Sequence, residues 1–288
     1  LSEVSKHIRL NEVEDDDFDV ETSLLKPKYD IQLGEVWQLG NHRLMCGDST
    51  KEEDVNKLMD GKKADLVVTD PPYGVSYNTK NEFLNNLDNG SRIQKEIEND
   101  SMSVSEMKDF WIKSFTNMYN VCDDKASYYI TGPQGGELMM MMMMSVVESG
   151  FQLKHMLIWV KNNHVLGRCD YHYKHEPILY GWKKQHNFYG NSSNFSVWNY
   201  DKPHKSDLHP TMKPVELLSN AINNSSKEKD IVIDFFGGSG STLIACEQLN
   251  RNCYMMELDP VYVSVIIERW ETLTGKKALR LDDKTKED

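Results

Sequence analysis

Asp70-Pro71-Pro72-Tyr73 follows the apolar run ADLVVT. A carboxylate, a carbonyl stiffened by proline and an aromatic ring within four residues suit one task. They can grip a planar amine by its two hydrogens while the ring stacks on the base that carries it. A plain turn is the alternative reading of four such residues, and the strand-like run before them argues against it, because ligands of open parallel sheets gather at strand carboxyl ends. A second candidate, Asp234-Phe235-Phe236-Gly237-Gly238-Ser239-Gly240-Ser241, overlaps the run IVID and opens a helix. Glycines there allow a sharp turn and close approach of the backbone to a cofactor. Glu257 lies seventeen residues beyond Gly240, at the end of the next strand-like run, where an acid can bind two ribose hydroxyls. Dinucleotide enzymes use comparable loops, but Leu243 stands where GxGxxG needs its third glycine, and no Gly-Lys-Ser/Thr of an ATP loop occurs. His209-Pro210-Thr211-Met212-Lys213-Pro214 precedes a further helix and by itself reads as a cap and turn.

These residues need a scaffold, and the periodicity supplies one. Strands are expected at 42–46, 64–69, 126–131, 152–161, 177–182, 231–235 and 252–258. Helices are expected at 51–60 (capped by Ser49 or Thr50), 103–122, 137–149, 215–225, 242–249 and 261–274. Continuous apolar strands between helices predict an α/β fold with a parallel sheet covered on both faces. The six methionines at 139–144 read as a buried helix with one face in the core, rather than as a sulfur-rich surface. Residues 78–100 are polar and Asn-rich and read as a long loop.

The chain has 288 residues and a net charge of −12. Taken as a sum, that charge argues against a nucleic-acid binder, but its distribution does not. Residues 1–30 hold nine acids against four bases and read as a flexible acidic arm, with the fold beginning near Ile31. Residues 151–213 hold nine bases against four acids, with seven of the nine histidines and eleven aromatics. That segment is the expected nucleic-acid face, with Arg168, Lys183 and Lys184 as phosphate contacts. Cys169-x-x-His172-x-x-His175 could be a metal site, but beside Tyr171 and Tyr173 it reads better as part of a DNA-facing loop, so no metal is expected. Five scattered cysteines without a Cys-x-x-Cys pair fit a reducing cytoplasm. No apolar run is long enough for a membrane span. The first residue is Leu1, so leading residues are expected to be missing.

Together, DPPY, then HPTMKP, then the glycine loop make the chain resemble the amino-group DNA methyltransferases that use S-adenosylmethionine (SAM). The resemblance runs from about residue 34 to about 275, and its motif order is that of the circularly permuted β group. It implies a Rossmann-like sheet, mostly parallel with one antiparallel edge strand. The C-terminal half would supply the first two strands and the N-terminal half the rest. It also implies a methyltransferase domain over 31–275 with a target-recognition segment at 162–207, followed by a charged tail at 276–288. Asp70, Pro71, Pro72 and Tyr73 would bind and activate the target base. Phe236, Gly238 and Gly240 would shape the methionine pocket, Thr211 and Lys213 would contact the methionine end, Glu257 would hold the ribose, and Asp48 would lie near the adenine amine. Phe235 departs from the family's usual proline. The acidic start followed by GEVWQLGNHRLMCGDST resembles members that carry a ParB-like domain upstream.

The implied reaction is direct in-line methyl transfer from SAM to an exocyclic amine of duplex DNA after base flipping, as in restriction-modification systems. DPPY is typical of the adenine enzymes and SPPY of the cytosine ones, so N6 of adenine is preferred over N4 of cytosine. Methylation at cytosine carbon-5 needs a cysteine, usually in a Pro-Cys pair, and the chain has none. A SAM- and DNA-binding module without catalysis is the alternative from another class. The implied partners are double-stranded DNA and, compatibly, a second copy of the chain.

Overall fold

A computed structural model describes residues 13–74, 102–162, 170–201 and 212–281. Its centre is a sheet whose strands alternate in sequence between apolar side chains that face opposite ways. On β3 (Ala64–Thr69), Leu66 and Val68 enter one core and Val67 the other. A strand buried on both faces must be mostly apolar, which is why ADLVVT is apolar but for Asp65, which is half-buried and accepts from the Ile231 amide, and the closing Thr69.

The described strands are β1 (Val36–Leu39), β2 (His42–Cys46), β3, β4 (Cys122–Thr131), β5 (Gln152–Val160), β6 (His175–Trp182), β7 (Val197–Asn199), β8 (Ile231–Asp234), β9 (Asn252–Glu257) and β10 (Leu279–Leu281). Their order across the sheet is β10-β1-β2-β9-β8-β3-β4-β6-β5-β7. The run β2-β9-β8-β3-β4 is parallel throughout. The C-terminal pair β8–β9 is thus inserted between two strands of the N-terminal half, as the permuted motif order implies. The antiparallel strand expected at an edge is β6, but it lies inside the sheet, between β4 and β5, because β5 and β7 pair beyond it. A second one, β1, forms a tight antiparallel pair with β2 at the other end.

Helices α2 (Glu52–Met59), α3 (Val104–Val121) and α4 (Gly136–Glu148) cover one face. Helices α5 (Val215–Ser225), α6 (Ser241–Gln248) and α7 (Pro260–Thr274) cover the other. Ser103 and Glu106 form a reciprocal capping box at the start of α3. This helix buries Phe110, Trp111, Phe115 and Met118 along one stripe. In α4 the methionine run behaves as core: Met139 and Met142 are buried, while Met140 and Met144 face outward.

Three expectations are corrected. Helix α2 starts from Lys51 rather than Ser49 or Thr50, because the Ser49 hydroxyl pairs with Ser114 and that of Thr50 donates to Asp48. Residues 13–30 are not a free acidic arm. Val13 and Val20 are buried, and α1 (Val20–Leu25) lies on α7 through the bond from Ser23 to Glu268. The tail does not begin at 276, since β10 pairs with β1 and Arg280 bonds Glu35. Among the described residues no helix is long and apolar enough to cross a membrane. The expected loop at 78–100 lies outside the described residues.

Candidate active site

Four adjacent parallel strands, in the spatial order β2-β9-β8-β3, each deliver an acid at or just beyond their carboxyl end: Asp48, Glu257, Asp234 and Asp70. The edge is a crevice because the chain leaves β8 toward α6 on one face and β3 toward α3 on the other. The Thr69 hydroxyl donates to Asp234 at 2.6 Å, which ties the residue before Asp70 to the first residue of the glycine loop.

On the β8–β9 side the backbone makes the site. Gly238 and Gly240 have φ of +51° and +86°, which side-chain-bearing residues rarely adopt. The turn is closed by the Gly240 amide donating to the Gly237 carbonyl at 2.8 Å. A Cβ on Gly238 would have open space around it, so the loop presents bare backbone there. Asp234 accepts from Thr69, from Thr242 at 2.6 Å and from the Phe236 amide at 3.1 Å. Burial still pushes its carboxyl up to about 7. Glu257 accepts from the Gly238 amide at 2.7 Å and the Asp259 amide at 3.0 Å. It keeps a little open surface but is densely surrounded, and that burial raises it to about 7 against the pull of those amides. Asp48 turns back on its own segment and accepts from the amide and hydroxyl of Thr50. The Phe236 ring lies 5.8 Å from that of Phe110.

On the β3 side, side chains from distant segments make the site. Asp70 accepts from the Tyr73 hydroxyl at 2.6 Å, from the Thr131 hydroxyl at the end of β4, and from the Lys213 ammonium. Pro72 accepts the indole N–H of Trp111 at 2.9 Å, and Pro71 is buried, so the turn is fixed to α3. Lys213 also lies 3.3 Å from Oε2 of Glu176, whose other oxygen pairs with Lys161. Burial would raise the Glu176 carboxyl, but the two ammoniums outweigh it and hold it down at about 2. Tyr73 is itself a core residue at 7% exposure. Its burial, with Asp70 and Glu176 nearby, pushes its phenol well up.

Asp70, Pro71, Pro72, Tyr73, Asp48, Phe236, Gly238, Gly240 and Glu257 therefore share one edge of the sheet, where the motifs put them. Lys213 shares it too, but on Asp70 and Glu176 rather than beside the glycine loop. The expected stacking role of Tyr73 is not the arrangement seen, because its ring is packed and its hydroxyl is committed to Asp70. Lys183 and Lys184 have protein partners elsewhere. Lys183 donates to the carbonyls of Tyr119 and Cys122 at 2.9 and 3.0 Å, and Lys184 pairs with Asp124. Those partners surround the start of β4, at the end of the strand opposite Thr131, so both lysines lie away from the acidic edge. Arg168, Thr211 and Cys169 lie outside the described residues. Among the described residues no group of three His, Cys, Asp or Glu side chains could hold a metal. Thr131, Glu176 and Lys161 were missed. A lone acid on the apolar strand HEPILYGW was the available signal for Glu176; nothing in the sequence pairs Thr131 with Asp70.

The chain as a whole is similar to known proteins. A family model described as DNA methylase matches residues 64–268. The Type II methyltransferase M2.MboI of Moraxella bovis is 25% identical over 232 residues, covering 73% of this chain and 81% of that protein. The Type II methyltransferase M.HpaI of Haemophilus parainfluenzae is 25% identical over 259 residues, covering 81% of this chain and 75% of that protein. Among solved structures, the M1.HpyAVI–SAM complex aligns with TM-score 0.55 at 21% identity, covering 78% of this chain and 98% of the other. The PvuII DNA methyltransferase, titled cytosine-N4-specific, aligns with TM-score 0.60 at 16% identity, covering 88% and 92%.

Proposed function

This chain belongs to the N6/N4 amino-group DNA methylase family, and from that membership we propose that it transfers a methyl group from SAM to the N6 amine of adenine in duplex DNA. One observation carries the placement of the two reactants. Asp70, the amine acceptor, follows Thr69, whose hydroxyl is bonded to Asp234 at the root of the glycine loop. The base side and the cofactor side are therefore one residue apart across a shared hydrogen bond.

The residues present fit SAM. The open backbone at Gly238 leaves room for the methionine portion, and helix α6 starts at Gly240 without a side-chain cap. Its first amide N–H groups can therefore meet a carboxylate. Glu257 is held by two backbone amides and can accept from the ribose hydroxyls, and Asp48 lies beyond the neighbouring strand. When bound, SAM supplies the electrophilic methyl group.

The amine of adenine is a poor nucleophile because its lone pair is delocalised into the ring. Asp70 accepts one of its hydrogens and the Pro71 carbonyl the other, which draws the nitrogen toward tetrahedral geometry. Orientation by these fixed acceptors supplies much of the acceleration. Lys213 now donates to Asp70, and the arriving amine takes its place. Glu176 is near enough to keep the displaced ammonium paired. A base inside a duplex cannot reach this edge, so the target must be flipped out.

DPPY supports adenine over cytosine. The likeness to the cytosine-N4-specific enzyme is one of fold and does not decide the base. Methylation of mixed-sequence DNA with SAM, followed by digestion and mass spectrometry of the nucleosides, tests the reading. N6-methyldeoxyadenosine is expected. N4-methyldeoxycytidine in its place would reassign the base, and SAM binding with no methylated nucleoside from any DNA would favour a silent binding module.

A further inference from the structure

The segment before the first helix reaches the glycine loop. We propose that Asp16 and Arg269 are a positioning pair that holds the glycine loop in the shape that receives SAM, so that residues 13–19 are part of the cofactor site. The inference rests on the SAM reading above and adds residues that none of the motifs contains.

Arg269, on α7, is 1% exposed. Its Nε and Nη2 donate to the two oxygens of Asp16 at 2.7 and 2.6 Å. This is the parallel two-bond grip that a planar guanidinium makes with a carboxylate. The remaining limb, Nη1, donates to the Ser239 carbonyl at 3.0 Å and lies 3.4 and 3.3 Å from the hydroxyls of Ser239 and Ser241. Ser239 sits between the two positive-φ glycines. Its carbonyl and the Gly240 amide belong to one planar peptide unit. Arg269 holds the oxygen of that unit, and the Gly237 carbonyl accepts from its nitrogen. The plane that opens helix α6 is therefore fixed at both ends. Lysine has no fork and cannot serve the carboxylate and the loop together.

Neighbouring residues make the same connection. Asp15 accepts from the amide of Val215, two residues after Lys213, at 2.8 Å. Glu14 exchanges two bonds with Gln248, the last residue of α6, at 3.1 and 2.9 Å. One short acidic run thus grips the helix behind Lys213, the end of α6 and, through Arg269, the turn before α6. Buried ion pairs commonly add little stability over well-packed apolar residues. What this one supplies is the direction of a peptide plane. Further along, the Ser23 bond to Glu268 attaches α1 to α7 without touching the loop, which gives an internal control.

The test is calorimetric titration of the full chain with SAM, alongside thermal melting, for the parent, Asp16→Ala, Asp16→Asn and Ser23→Ala. Asp16→Ala is expected to weaken SAM binding about tenfold. Its KM for SAM should rise, while kcat at saturating SAM and SAM-free DNA binding stay within about twofold. Asp16→Asn, which keeps one acceptor, should recover part of the affinity, and it carries the test if the alanine variant does not fold. Ser23→Ala should melt lower and bind SAM as the parent does. Variants of Asp16 that melt lower yet bind SAM like the parent would overturn the pairing, as would equal losses in Asp16→Ala and Ser23→Ala. A parent that binds no SAM would overturn the cofactor reading and this inference together.

Discussion

The proposed cofactor side and the proposed base side of the acidic edge are built by different means. Around β8 and β9 the groups are backbone amides and carbonyls shaped by glycines, with the Glu257 carboxylate bonded to them, all between Asp234 and Asp259. Around Asp70 they are side chains from β4, the end of β5, β6 and the turn before α5. The turn of the backbone site is drawn by local glycines and then held by Arg269, whereas the side-chain site exists only once distant strands have paired. On the proposed reading the base side is also where a rearrangement is expected, because Asp70 already accepts from three donors, one of them the Lys213 ammonium.

The largest expected effect separates the sides by rate. Asp70→Ala should lower kcat by at least about 10²-fold, the scale of losing one preorganised electrostatic contact, in single-turnover methyl transfer. A loss confined to KM for DNA would make Asp70 a binding residue instead. A smaller effect concerns pH. Burial gives Glu257 a folded pKa of about 7 against an ordinary 4.5. The folded state then holds an extra proton between those values, so this group's contribution is full below pH 4.5 and is lost as pH rises through about 7. Urea unfolding of Glu257→Gln should show its stability gaining on the parent from about pH 5 to about pH 8. Curves that stay parallel would mean that the carboxylate is well solvated.

The smallest effects lie at the far edge of the sheet. Lys183→Met should cost about 1–2 kcal/mol of stability by leaving two carbonyls without their donor. Lys184→Ala should be near neutral, because its pair with Asp124 is exposed. Neither should alter the salt dependence of DNA binding. A flatter salt slope in either variant would restore these lysines to the DNA face.

The same contrast sets what could be read in advance. Most strands and helices were legible from local periodicity, as in ADLVVT and IVID, and the permuted order from the motif order of the family the chain resembles; β1, β7, β10 and α1 are too short to show a period of their own. The glycine loop and Glu257 were legible because the loop is contiguous and the acid ends the very next strand. Lys213 was placed on the edge but not on Asp70, since 143 residues separate the two and only the fold joins them. The position of Lys183 and Lys184 was not legible, because composition locates charge along a chain and not across a sheet. They follow β6, which runs against β4, and so emerge at the opposite end. The arm at 13–30 was misread because its acids look solvated until Arg269 and the start of α5 are beside them.

The most direct measurement is a side-by-side SAM titration of Asp70→Ala and Glu257→Ala. With Asp70 facing the base and Glu257 facing the cofactor, Asp70→Ala should bind SAM within about twofold of the parent. Glu257→Ala, having lost a charge-assisted acceptor, should bind about tenfold or more weakly. Equal weakening in both, or unchanged affinity in Glu257→Ala, would contradict the division of the edge into a base side and a cofactor side.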